Sequence, residues 1–293
     1  MKTVLKLSLA GLLAAAPALQ AEIVLTDDLS IYGYIDTAYV SSDDLGDVDG
    51  SAAEFELGFA FNPVGPWSAV SEISFDNNES DMEFETVTIT YAASDELSYT
   101  LGNILSYQGF ETYDATGLYQ FSYQGYMGSP VYSAAYAFGG SVDYATDDYA
   151  LGLWVGESSE KASVEFLAKY TAVENLTLAF IYADDPAYTT TNFWGSYTAD
   201  ALTFALEYTN NDWEGGSDDT FYMGLVNYAI NDAAGVTFRY TKGEMGGTDF
   251  DRITISPSYA FSDNVLGLLE YSVDDIDGGA NDSQFAAELL FTF

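Results

Sequence analysis

Ser283-Gln-Phe-Ala-Ala-Glu-Leu-Leu-Phe-Thr-Phe293 alternates with period two. One face carries Phe285, Ala287, Leu289, Phe291 and Phe293; the other carries Gln284, Ala286, Glu288, Leu290 and Thr292. Such alternation marks a β-strand with one apolar and one mostly polar face. In water the apolar row is a bare hydrophobic edge. In a bilayer it is a strand with acyl chains on one side and water on the other.

The opposite end agrees with a membrane reading. Lys2 and Lys6, the apolar run 7–13 and the small-residue stretches Ala16-Pro-Ala18 and Leu19-Gln-Ala21 have the order of a secretory signal peptide. The expected organisation is a signal peptide over residues 1–21 and a single barrel domain over 22–293. Loss of Lys2 and Lys6 with that segment leaves five basic residues against all 46 acidic ones. A basic patch for nucleic acid or anionic lipid is thereby excluded. At 48% hydrophobic and 16% aromatic residues the chain is too apolar to be disordered. No apolar run beyond residue 21 is long enough for a membrane-spanning helix. The chain has neither Cys nor His, which removes thiolate chemistry, the commonest general base and the commonest metal ligand.

Strand-like segments recur throughout. Seven short connections (62–66, 93–96, 146–148, 172–175, 199–200, 231–235 and 261–264) alternate with eight longer, more acidic ones (41–50, 77–81, 105–131, 157–161, 184–190, 210–219, 243–249 and 274–282). That pattern predicts an all-β fold, a transmembrane antiparallel up-and-down barrel of about sixteen strands. Short turns belong to the periplasmic side and longer acidic loops to the extracellular side. An even strand count then brings both termini to the periplasm.

Parity assigns the faces. Ile31, Gly33, Ile35, Thr37 and Tyr39 point outward and Tyr32, Tyr34 and Asp36 inward. Outward aromatics sort into two belts, Trp67, Tyr91, Tyr170, Tyr259 and Phe293 on the periplasmic side and Tyr182, Tyr208, Phe221, Tyr240 and Tyr271 on the extracellular side. Ten strand acids point inward: Asp36, Glu54, Glu56, Glu72, Asp76, Asp143, Glu165, Glu207, Glu270 and Glu288. Glu83, Glu85 and Asp251 have outward parity near extracellular strand ends. Only Lys169, Arg239 and Arg252 are basic and inward. A low-dielectric wall focuses such a field into the lumen, so cations are concentrated there and anions excluded.

The connection 105–131 is the longest and is rich in aromatic residues, so it is expected to fold into the lumen. Glu111 and Asp114 would then face Lys169, Arg239 or Arg252 across a constriction. The acidic stretches 43–49 and 274–282 resemble calcium loops in composition but lack the oxygen spacing of an EF-hand. No resident metal and no cofactor are expected, beyond loose bridging of acidic loops by divalent cations. Lys242, outward near a strand end, is expected to be solvated. No G-x-S-x-G or H-E-x-x-H motif occurs, and nothing selects one carboxylate pair for hydrolysis, so the chain is not expected to be an enzyme.

Leu29-Ser-Ile-Tyr-Gly-Tyr-Ile-Asp-Thr-Ala-Tyr39, and Gly109-Phe-Glu-Thr-Tyr-Asp114 followed by Tyr119-Gln-Phe-Ser-Tyr123, resemble the OmpL-like outer-membrane β-barrel porin family. Phe293 is similar to the C-terminal aromatic of outer-membrane porins, and that likeness implies an assembly signal read by the barrel-assembly machinery. The resemblance implies a porin without naming a solute.

The expected function is therefore passive diffusion of ions and small hydrophilic solutes through a water-filled, cation-preferring channel in the outer membrane of a Gram-negative-type bacterium. The expected surroundings are outer-membrane lipid and lipopolysaccharide, with a homotrimer as the assembly and no nucleic-acid partner. The alternative is a barrel with a surface, adhesive or structural role and little conductance.

Overall fold

Residues 22–42, 50–77, 82–157, 162–279 and 281–293 are described by a computed structural model. The segments 1–21 and 43–49, on which the signal-peptide reading and one acidic stretch fall, lie outside them. A short strand β1 (Glu22–Val24) precedes sixteen longer ones: β2 (Leu29–Ser42), β3 (Gly50–Phe61), β4 (Trp67–Asp76), β5 (Glu83–Ala92), β6 (Leu97–Leu105), β7 (Tyr136–Ala145), β8 (Tyr149–Glu157), β9 (Ala162–Tyr170), β10 (Leu176–Asp185), β11 (Tyr188–Ala199), β12 (Leu202–Trp213), β13 (Asp219–Ala229), β14 (Ala234–Met245), β15 (Thr248–Ser262), β16 (Val265–Ile276) and β17 (Asp282–Thr292). Each long strand pairs antiparallel with its sequence neighbours, and β17 closes the barrel against β2. Closure leaves no unpaired edge among these strands, so every ladder can satisfy its own backbone groups.

The seam is tied at both residues where the chain ends its pairing. Phe293 exchanges backbone hydrogen bonds with Gly33 at 2.9 and 3.0 Å. Beyond that point β1 takes over the same edge of β2, with Ile23 opposite Ile31. The quoted closing stretch forms β17 with the expected faces: Phe285, Leu289 and Phe291 are exposed outward, whereas Ala286, Glu288, Leu290 and Thr292 are buried inside.

Exposed Ile35, Phe55, Phe59, Ile89, Leu101, Leu153, Phe166, Phe180, Leu206, Phe238, Ile253 and Leu269 form an apolar outer band. A band this continuous is what hydrocarbon solvates and water does not. Aromatic pairs mark the rim bearing the termini, with Trp67 on Tyr91 at 4.8 Å and Tyr259 on Phe261 at 5.2 Å. Tyr208 meets Tyr222 at 5.1 Å toward the opposite rim.

Four expectations need correction. All seven short turns are present, but most connections at the opposite rim are shorter than expected. β10 passes to β11 through Pro186 and Ala187, and β14 to β15 through Gly246 and Gly247. Backbone pairing does not need apolar side chains, so the strands run on through polar residues. The long connection instead extends over 106–135.

Phe221, assigned to an outer belt, is 2% exposed and points inward beside Phe250. β13 is apolar on both faces, with Met223 and Leu225 inside and Tyr222 outside, so parity alone could not set its register. Glu85, given outward parity, turns inward. The register between β4 and β5 shifts between Ser71 and Ile73, where Val87 pairs with Ser71 but Phe84 with Ile73. The extra residue on β5 is a β-bulge, and a bulge re-aims the side chains beyond it. Finally, the inner face is not wet throughout. Leu167, Ile181, Trp194, Met223 and Leu225 point into the barrel and pack with Tyr107 and Phe110 of the long loop.

Candidate functional site

The lumen is divided by the loop 106–135. Glycine is required at its start: Gly109 has φ +96°, and a Cβ there would lie 2.0 Å from the Tyr132 ring. This close approach lets Tyr132 reach Glu207. The loop then binds the wall of β7 and β9–β16 through carboxylates that accept hydrogen bonds. Ser106 Oγ and the Tyr107 amide donate to Glu165 at 2.6 and 2.7 Å. The Phe110 amide and the Tyr132 hydroxyl donate to Glu207 at 3.1 and 3.0 Å. Ser122 donates to Glu270 through its amide at 2.9 Å and its hydroxyl at 2.5 Å. Asp143 accepts from the Tyr107 hydroxyl at 2.6 Å. A buried carboxylate is tolerable where amides and hydroxyls satisfy it, and these donors do so.

Two of the basic residues, Arg239 and Arg252, serve the same attachment. Arg239 pairs with Glu111 at 2.7 Å and donates to the carbonyls of Ser122 and Tyr123 at 2.7 and 2.8 Å. Arg252 pairs with Asp274, lies 3.5 Å from Glu270, and donates to Ser122 Oγ at 3.1 Å and Gln284 at 3.0 Å. Lys169 lies 5.7 Å from the Trp194 ring centroid, which stands edge-on to Phe110.

Each of the thirteen strand positions named as inward from the sequence lies on the inner wall; Asp143 is held by Tyr107 of the loop, and the other twelve form two groups. Glu165, Lys169, Glu207, Arg239, Arg252 and Glu270 are buried under the loop rather than facing open lumen. Asp36, Glu54, Glu56, Glu72, Asp76 and Glu288 line β2, β3, β4 and β17. There the Tyr32 hydroxyl donates to Glu72 at 2.5 Å and the Tyr34 hydroxyl to Glu54 at 2.6 Å.

The two loop carboxylates part company. Glu111 is a contact partner of Arg239, not one side of a gap. Among the described residues Asp114 forms no ion pair with a base; it joins Glu56 and Glu85 instead. Burial pushes its carboxyl up to about 8, and the charges of Glu72, Glu85 and Glu54 push the same way. The cause lies in the sequence, since no Lys or Arg occurs between Lys6 and Lys161 and β2–β8 therefore carry none. Lys242, expected to be solvated, lies 3.6 Å from Asp251 on the outside.

Sequence reading missed Glu85 and the apolar patch around Trp154 and Trp194. Inward Trp, Leu and Met on consecutive strands were the available signal. They imply a partner inside the barrel, and the aromatic loop 106–135 is that partner.

Neither a protein-family model nor a curated protein matches the sequence. Solved structures do match the fold. A loop-deleted OmpT, an outer membrane protein of Vibrio cholerae, aligns with a TM-score of 0.68 at 15% identity, over 90% of this chain and 99% of that one. An anion-selective porin from Comamonas acidovorans aligns with a TM-score of 0.68 at 11% identity, over 90% and 99%. A variant of the porin from Rh. blastica gives 0.67 at 18% identity, over 90% and 100%. Likeness at these identities speaks for the fold: a closed sixteen-stranded antiparallel barrel of the kind found in outer-membrane porins.

Proposed function

We propose that this chain is an outer-membrane porin of a Gram-negative-type bacterium, passing small hydrophilic solutes and ions by diffusion with a preference for cations. The barrel and its apolar outer band support the membrane location. Sixteen strands enclose a bore wide enough for an aqueous path beside a folded-in loop. One observation carries the ion preference: the buried guanidinium groups of Arg239 and Arg252 are each neutralised by a carboxylate, whereas the wall of β2–β8 holds acids and no base. The net field of the lumen is negative. A related fold belongs to an anion-selective porin, so the preference rests on this chain's own charges and not on likeness.

The same reading includes export through the signal peptide at 1–21, Phe293 as the assembly signal, contact with outer-membrane lipid and lipopolysaccharide, and no catalytic role. A homotrimer is proposed as the assembly; one structural neighbour, OmpT of Vibrio cholerae, is described as a trimer form. A second reading, a surface or structural barrel with little conductance, draws on the two apolar clusters that the loop buries inside the lumen. Liposome swelling separates the two. Proteoliposomes swelling in isotonic arabinose support a diffusion channel, and swelling no faster than protein-free liposomes supports the structural barrel.

A further inference from the structure

We propose that Glu56, Glu85 and Asp114 form a binding site for a divalent cation of the Ca²⁺ type, which clamps the long loop to the acidic wall. Glu56 comes from β3, Glu85 from β5 and Asp114 from the loop, and one carboxylate oxygen from each lies within 4.8 Å of the others. The arrangement is more than a cluster of acids. Glu56 is 4% exposed, and its Oε2 is buried without a hydrogen-bond partner. Glu85 Oε2 is likewise buried and unpartnered. The neighbouring acids differ, since Glu54 and Glu72 accept from the hydroxyls of Tyr34 and Tyr32. The β-bulge on β5 brings Glu85 into the group, against the parity of the rest of its strand.

Buried carboxylates are paired, hydrogen-bonded or metal-bound. No Lys or Arg on β2–β8 can pair these. Donor chemistry then chooses the ion. Ca²⁺ takes about six to eight oxygens in a flexible geometry, whereas Mg²⁺ demands near-ideal octahedral geometry and keeps several of its waters. Three carboxylates drawn from two strands and a loop suit Ca²⁺, with water completing its shell. Binding would add an attachment of the loop on the wall of β3 and β5, and would reduce the negative charge of the lumen where the loop meets that wall.

The inference rests on the barrel and its loop, not on conductance, so it is tested by binding alone. The full-length barrel, folded in detergent and freed of metal with a chelator, is titrated with Tb³⁺. Tyr136, whose hydroxyl lies 3.4 Å from Asp114, serves as the sensitiser. Wild type is expected to give a saturable luminescence that Ca²⁺ displaces more effectively than Mg²⁺. Glu85→Gln and Asp114→Asn should each weaken Ca²⁺ displacement at least about tenfold. Glu244→Gln, an exposed acid elsewhere on the barrel, should change nothing. Heat-modified migration on a gel checks that each variant is folded, and Asp114→Asn, lying in the loop, leaves all strands intact. An unsaturable signal in wild type, equal Ca²⁺ affinity in wild type and both variants, or equal displacement by Mg²⁺ overturns the proposal.

Discussion

Arg239 and Glu111 form a fully buried ion pair between β14 and the loop, and the same guanidinium binds two loop carbonyls. Removing one partner of a buried pair costs about 3–5 kcal/mol, because the other charge stays behind without compensation. Arg239→Ala is therefore expected to lower the denaturant midpoint of the folded barrel and to raise current noise as the loop loosens. An unchanged midpoint would mean that Glu111 finds another donor. Asp114 offers a pH signature. Its raised pKa, up to about 8, means that the carboxyl is neutral below that pH and charged above it. The fold holds this proton more tightly than the unfolded chain, so its contribution to stability is present at low pH and lost as pH rises through about 8. In chelator, cation preference should grow between about pH 7 and pH 9, and Asp114→Asn should flatten that step. The sequence showed the lack of bases along β2–β8, but not which acids meet. Asp114 sits beside Glu56 only because a loop crosses the lumen, and spacing along the chain does not encode that crossing.

Among elements, the loop 106–135 divides the lumen. It packs by apolar contact as well as by hydrogen bonds: Phe110 lies against Trp194 at 5.7 Å, and Tyr132 packs with Phe221 and Phe250. Trp194 is fully buried. Trp194→Ala should destabilise by about 3–5 kcal/mol if the site cannot collapse, and should detach one end of the loop. Deleting the loop tip should raise single-channel conductance; the same conductance with and without it would mean that the loop does not constrict the path. The loop's inward fold was legible from its length and aromatic content. Its anchors were not, because Glu165, Glu207 and Glu270 look in sequence like any other inward acid. Strand positions were legible for a different reason: lipid outside and mixed polarity inside force a period of two wherever the inner face is wet. β13 escaped that logic because the loop makes its inner face dry, and β5 because a bulge interrupts its period.

At the scale of the whole molecule, charge is segregated around the barrel. β9–β16 carry the inward bases, of which Arg239 and Arg252 are engaged by loop and wall groups, and β2–β8 carry acids alone. The closed architecture was readable from the alternation of short and long connections and from a final strand ending in Phe-Thr-Phe293. The division of the lumen was not, because it depends on which residues the loop covers. On the proposed reading, an acidic half-wall without bases makes the open path favour cations. Reversal potential in a planar bilayer under a tenfold KCl gradient, with chelator present and at pH above about 8, tests it most directly. A shift toward the K⁺ equilibrium potential is expected. A shift toward the Cl⁻ equilibrium potential would contradict it.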